Sequence, residues 1–257
     1  VAKPKQPPSY DLKKSEQRRS QLIQIGLTAI VVLFAVGLVG FIVLSNKKDP
    51  GPPAPPAGEV KAIQVVTPGP AKLITKEGTT EPKVVLTLIE DPICPACAMF
   101  EQEFGPTVRK LIDTGAVRAD YNMVGILDVP RLKRDYSSRA SAAAYCVADQ
   151  SQDLFLKFHS VLYDPNKQPD EVNSKTWHDD KWLIDQAKGV GASDAVAKCI
   201  KDKKYINMVK ELGPKLNIQA TPTIRINGKD WEISKGATPD DLIKAVTDIT
   251  GPVPGLK

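Results

Sequence analysis

KVVLTLIEDPICPACAMFEQEFGPTVRKLIDTGAVRADYNMV, Lys83 to Val124, is the stretch from which the architecture unfolds. Its first eight residues, Lys83 to Glu90, form an apolar, β-branched run of strand length and predict a buried central strand. From Pro95 to Thr114 the pattern changes. Phe100, Phe104, Val108, Leu111 and Ile112 recur at three- and four-residue spacings, which predicts a helix, with a kink expected at Gly105-Pro106 and a stop at Gly115. Val117 to Val124 predicts the next strand. A strand, helix and strand in that order imply parallel pairing through a right-handed crossover.

Upstream, Val60 to Val66 alternates weakly and predicts an edge strand, which Leu73 and Ile74 would continue beyond Pro68 and Pro70. Downstream, Ser137 to Val147, Leu154 to Tyr163, Lys181 to Lys188, Asp194 to Lys201 and Tyr205 to Lys215 each read as helical, with glycines and prolines between them. Thr223 to Ile226 reads as a strand, Asn227-Gly228 as a hairpin turn, Trp231 to Ile233 as the returning strand and Pro239 to Ile249 as a closing helix. The fold class is therefore mixed α/β, with a helical insertion at about 131–215 inside a domain at 60–257.

The first sixty residues have a different character. Leu22 to Leu44, LIQIGLTAIVVLFAVGLVGFIVL, contains no charge in 23 positions. As a helix it reaches about 34 Å, enough for a bilayer core of ~30 Å. The run exceeds the apolar region of a cleaved signal peptide and ends without a small-x-small site, so it predicts an uncleaved transmembrane anchor at 22–44. The arm at 1–21 holds six basic and two acidic residues, a net +4. By the positive-inside rule it is cytoplasmic and the main body lies outside, in a compartment where disulfides persist. Residues 45–59 include DPGPPAPPAG, Asp49 to Gly58, a semi-extended spacer. Lys47, Lys48 and Asp49 add +1, so everything from Pro50 onward is neutral within the total of +5. A neutral body has no excess charge to attract phosphates, and nucleic-acid binding is not expected. With 42% hydrophobic and 25% charged residues the chain is not wholly disordered, and 4 cysteines in 257 residues do not make a disulfide mini-protein.

The cysteines fall into two kinds. Cys94 and Cys97 flank Pro95-Ala96 exactly where the strand gives way to the helix. Three residues apart on a first helical turn, their sulfurs come within bonding reach. The first sits among free N–H groups at the positive end of the helix dipole, which favours a thiolate. Pro95 suits the first helical position because its missing N–H has no partner there. Zinc would need four ligands, but there is no second CxxC and the only histidines are His159 and His178. The spacing after a strand therefore reads as a redox pair, with an inert disulfide as the competing reading. Cys146 and Cys199 lie on two helices of the insertion, 53 positions apart. In an oxidising compartment the simplest reading is a structural bond; a second redox couple or free thiols are the alternatives. Ala220-Thr221-Pro222-Thr223 opens a strand. A proline there is commonly a turn residue, and most X-Pro bonds are trans.

Taken together, the strand, CPAC, helix, strand, helical insertion and TPT before a hairpin and last helix resemble the DsbA family of thioredoxin-fold oxidoreductases. YSSRA near Tyr136, AAAYCVAD around Cys146 and ATPT around Pro222 carry the likeness further, toward the membrane-anchored members of mycobacteria and related actinobacteria. The resemblance implies a cis bond before Pro222, a Pro222 loop facing Cys94, and backbone groups of Thr221 offered to an extended substrate chain. Two positions depart from the family pattern. Leu88 stands six residues before Cys94, where many relatives carry a buried acid, leaving Glu90 or Asp91 as candidates for its place. Ala96 stands where the best-known relatives have a histidine.

The expected activity is that of a protein dithiol:disulfide oxidoreductase, with Cys94 as nucleophile and Cys97 as resolving thiol. Its substrates would be exported cysteine-containing proteins, and the resemblance implies reoxidation by a membrane partner of DsbB or VKOR type. No FAD, NAD or metal motif is visible, so no cofactor or metal is expected. A reductase on the same fold, an isomerase and a non-catalytic peptide-binding chaperone are the competing readings.

Overall fold

The structure is a computed structural model that describes residues 62–66, 71–129, 135–233 and 236–256. These all belong to a unit spanning Pro55–Lys257. The arm at 1–21, the apolar stretch at 22–44 and the spacer at 45–59 lie outside the described residues. No described helix is long and apolar enough to cross a membrane.

The chain first pairs at Ile63–Val65 (β1), then runs through Val85–Glu90 (β2), Pro95–Asp113 (α1) and Arg118–Met123 (β3). Five helices follow: Tyr136–Gln150 (α2), Gln152–Leu162 (α3), Asp180–Gly189 (α4), Asp194–Lys201 (α5) and Ile206–Lys215 (α6). Thr223–Ile226 (β4), Lys229–Asp230 (β5) and Pro239–Thr250 (α7) close the domain. The sheet order is β1-β3-β2-β4-β5. β2 is central, parallel to β3 and antiparallel to β4, with Leu88 opposite Tyr121 on one side and Ile224 on the other. This is a thioredoxin-type sheet with helices inserted between β3 and β4.

Burial explains why β2 reads as a continuous apolar run. Leu86, Leu88 and Ile89 have no exposed surface, and each such side chain contributes roughly 1.5–3 kcal/mol by leaving water. α1 and α7 pack on each other, while α2 and α3 pack together and against β3 and β1 respectively. Local chemistry sets the helix ends. The Ser151 hydroxyl accepts the Leu154 N–H at the start of α3, and Thr238 and Asp241 cap α7 reciprocally. Gly115 ends α1 at φ +72°, where an added Cβ would lie 2.3 Å from the Lys72 carbonyl.

Two local expectations need correction. The return strand is not Trp231–Ile233 but Lys229–Asp230, because Asn227 (φ 50°) and Gly228 (φ 79°) form a two-residue turn that places Lys229 directly opposite Ile226. Leu73 and Ile74 do not extend β1. The Ile74 N–H instead bonds the Gly115 carbonyl, and the Ile74 carbonyl accepts from Lys83 N–H, so this segment ties the end of α1 to the approach of β2.

Candidate active site

The C-terminal end of β2 turns sharply before α1 begins. The Cys94 N–H bonds the Asp91 carbonyl at 3.0 Å, and Cys94 caps α1 with extended backbone while Pro95 takes the first helical position. Cys94 and Cys97 are free thiols. Pro95 is exposed and Ala96 half-buried, so the motif's two central residues form the outer surface of the turn. Cys94 is 7% exposed and Cys97 fully buried. The contrast has the expected direction, but Cys94 is more covered than a solvent-facing sulfur would be, because Thr221 lies against it. The Cys94 thiol donates to the Thr221 carbonyl at 3.3 Å. The Thr221-Pro222 bond is cis.

Electrostatics separate the two thiols. The Cys97 thiol, then the Thr221 side chain and the backbone N–H groups of Cys97 and Ala96, hold the Cys94 thiol down to about 6 despite partial burial. Burial drives Cys97 the other way, far above an ordinary thiol, and the hydrogen bond with Cys94 and the charge of Glu90 add to the rise. One sulfur is therefore a thiolate at neutral pH and the other a protonated, sequestered thiol. That arrangement suits disulfide exchange, which needs one accessible nucleophile that is also a good leaving group.

Of the two acids proposed in place of Leu88, the one that acts on Cys97 is Glu90, on the same face of β2 as Leu88. Burial pushes Glu90 up to about 8. Its Oε2 lies 2.8 Å from His159 Nε2, and its carboxyl meets that of Glu101, which burial likewise raises to about 8. Asp91 does something else. Its carboxylate accepts the N–H groups of Ile93 and Leu127, both at 3.1 Å, and the Ser137 hydroxyl, binding the Cys94 turn to the loop after β3 and to α2. Burial raises it to about 7 against those three donors.

Gln168, in the loop after α3, was not apparent from sequence. Its amide donates to the Pro92 carbonyl at 3.0 Å and the Cys94 carbonyl at 3.1 Å. A lone glutamine in a loop carries no signal of this kind; only the fold brings it to the turn. Glu101 and His159 are equally silent in sequence, since they meet Glu90 from α1 and α3. Away from this site, Cys146 on α2 and Cys199 on α5 are disulfide-bonded, with Cα atoms 5.8 Å apart.

The described fold has known counterparts. A family model described as thioredoxin matches residues 75–248. The reduced form of DsbA from Mycobacterium tuberculosis superposes with a TM-score of 0.71 at 44% identity, over 76% of this chain and 95% of that one. The reduced disulfide bond oxidoreductase DsbG from the same organism gives 0.71 at 46% identity, over 78% and 92%. The serine/threonine-protein kinase PknE of Mycobacterium tuberculosis is 30% identical over 125 residues, which are 48% of this chain; the chain spans 22% of the kinase's length. Whole-domain coverage at this identity, on a sheet whose β2–α1 junction carries the two thiols, places the chain in the DsbA family of thioredoxin-fold thiol-disulfide oxidoreductases.

Proposed function

We propose that the protein is a membrane-tethered oxidoreductase that introduces disulfides into proteins emerging outside the cytoplasmic membrane. The observation that carries this reading is the division of labour between the two thiols: Cys94 held down to about 6 beside Thr221, Cys97 buried and raised.

Starting from the oxidised pair, a substrate thiolate attacks Cys94 Sγ. A bond forms between the substrate sulfur and Cys94, the Cys94–Cys97 bond breaks, and Cys97 leaves and takes up a proton. A second substrate thiolate then attacks the substrate sulfur of that mixed disulfide and displaces Cys94, which departs readily because its thiolate is stabilised. The substrate has lost two electrons and the enzyme has gained them. A membrane-embedded partner of DsbB or VKOR type, linked to a quinone, would take them away. Thr221, beside Cys94, supplies backbone groups for an extended substrate segment; Pro95 and Ala96 form the small outer face of the turn over which it passes. Cys146–Cys199 serves as a structural bond.

The anchor reading rests on the sequence: 23 uncharged residues at Leu22 to Leu44, a basic arm before them and a proline-rich spacer after. The arm would be cytoplasmic and the catalytic domain extracytoplasmic.

The deciding experiment is the reduction potential of the Cys94–Cys97 pair. A value near about −120 mV supports a donor of disulfides, and one near about −270 mV makes the protein a reductase instead.

A further inference from the structure

Glu90, Glu101 and His159 come from three different elements, β2, α1 and α3, and converge behind the redox turn. Each can offer one ligand atom, and these atoms lie within 4.8 Å of one another. We propose that they form a binding site for a divalent cation of the zinc class, which would join the inserted helix α3 to the sheet and to α1.

Four features of the site favour a ligand there. First, the donor set is one nitrogen and two carboxylates, which suits a borderline transition ion rather than calcium or magnesium. Metal–ligand bonds of about 2.0–2.2 Å put tetrahedral ligand atoms about 3.4 Å apart. Glu90 Oε2 stands 2.8 Å from His159 Nε2 and Glu101 Oε2 stands 3.7 Å from the other ring nitrogen, Nδ1, so an ion held through one nitrogen draws the second carboxylate round to it, within a cluster no wider than 4.8 Å. Second, Glu90 Oε1 and Glu101 Oε1 are buried with no hydrogen-bond donor in the structure. A divalent ion would neutralise the two carboxylates where no lysine or arginine among the described residues does. Third, the imidazole is already oriented: the rings of Tyr121, Phe155 and Tyr163 pack around it with centroids 5.0, 5.4 and 4.9 Å away. Fourth, a cavity of about 310 Å³ opens onto Glu101 and His159 and provides both an entry path and room for a water as fourth ligand. Gly105 keeps that space clear, since a Cβ there would lie 2.9 Å from Glu101 Oε2. Arg109 also lines the cavity but is paired with Asp113 at 3.0 Å and faces Asp153 at 3.9 Å.

The test uses the full chain in detergent with Cys94 and Cys97 oxidised to a disulfide, so that neither thiol can bind the ion. Samples are dialysed against Zn²⁺ and, separately, Co²⁺, and bound metal is measured by elemental analysis. One ion should be retained per chain, the Co²⁺ form should show the visible bands of a low-symmetry nitrogen–oxygen site, and Zn²⁺ should raise the thermal unfolding midpoint. Glu101→Gln and His159→Gln should each weaken binding roughly tenfold or more, while replacement of the other histidine, His178→Gln, should not. An oxidised wild-type chain that retains neither ion overturns the proposal, and so does a folded Glu101→Gln chain that binds as tightly as wild type. Glu101 faces the cavity, so that variant decides the matter even if His159→Gln does not fold.

Discussion

Two pairs of cysteines in one domain have opposite characters. Cys94 and Cys97 sit three residues apart at the start of α1; Cys146 and Cys199 sit 53 residues apart on two helices of the insertion. The first pair has a helix N-terminus, the Thr221 carbonyl and two unlike thiol environments. The second has neither a helix start nor an asymmetric neighbour: Cys146 is buried among alanines late in α2, and Cys199 meets it from α5. The comparison teaches that placement on the backbone, and not the presence of two sulfurs, separates a pair of thiols of unequal acidity from a bonded pair that joins two helices.

The sharpest way to break that contrast is to exchange the roles of the two active-site thiols. Cys94→Ser should abolish exchange, while Cys97→Ser should accumulate substrates trapped on Cys94, because the resolving thiol is gone. Mass spectrometry of the adducts checks this; adducts formed as readily on Cys97 in Cys94→Ser would show that the two environments are equivalent. Next in size is the insertion. Replacing Cys146 and Cys199 together with alanine should lower stability by about 4 kcal/mol on the chain-entropy model for a loop of this length, measured by denaturant unfolding, with alkylation of Cys94 unchanged. A large loss of Cys94 reactivity in the folded double mutant would mean that the two pairs are coupled.

A third prediction concerns pH. In the reduced protein the Cys94 alkylation rate should rise with a midpoint near about 6. The folded value lies below the unfolded one, so the thiolate stabilises the reduced fold. That contribution grows as pH rises from about 6 toward the ordinary thiol value of 9.0 and is lost as pH falls through about 6. Cys97→Ala removes the leading cause of the shift and should move the alkylation midpoint upward. A midpoint that stays put would assign the effect to Thr221 and the helix N–H groups alone. The smallest expected effect is that of Gln168→Ala, which removes two hydrogen bonds to the turn and should cost about 1–2 kcal/mol in unfolding experiments.

Much of this was legible in the sequence because periodicity and punctuation are local. The run Lys83 to Glu90, the spacing of Phe100, Phe104 and Val108, and Asn227-Gly228 each announce their element without reference to any partner. The failures were of pairing. Ile74 looks like strand, but its hydrogen bonds go to Gly115 and Lys83. Trp231 and Ile233 alternate with charged residues as a strand would, but Asn227-Gly228 turns the chain so tightly that pairing begins at Lys229. In the site, Cys94 and Cys97 could be read from three positions of spacing, whereas Gln168, Glu101 and His159 could not. Their relevance depends on distances that only the assembled sheet and insertion define.

The position of β4 in the sheet has a consequence for how the domain is built. Leu86 pairs with Ile226, 140 positions later, with the whole insertion in between. Such a long-range pairing cannot form until that loop has closed. During synthesis, β2, α1 and β3 emerge early and can associate as a local unit, but β4 arrives near the end. Thr221 immediately precedes β4. Cys94 therefore acquires its carbonyl neighbour only once β4 has joined the sheet, and the surroundings of that thiol are completed after most of the domain that supports them has already emerged.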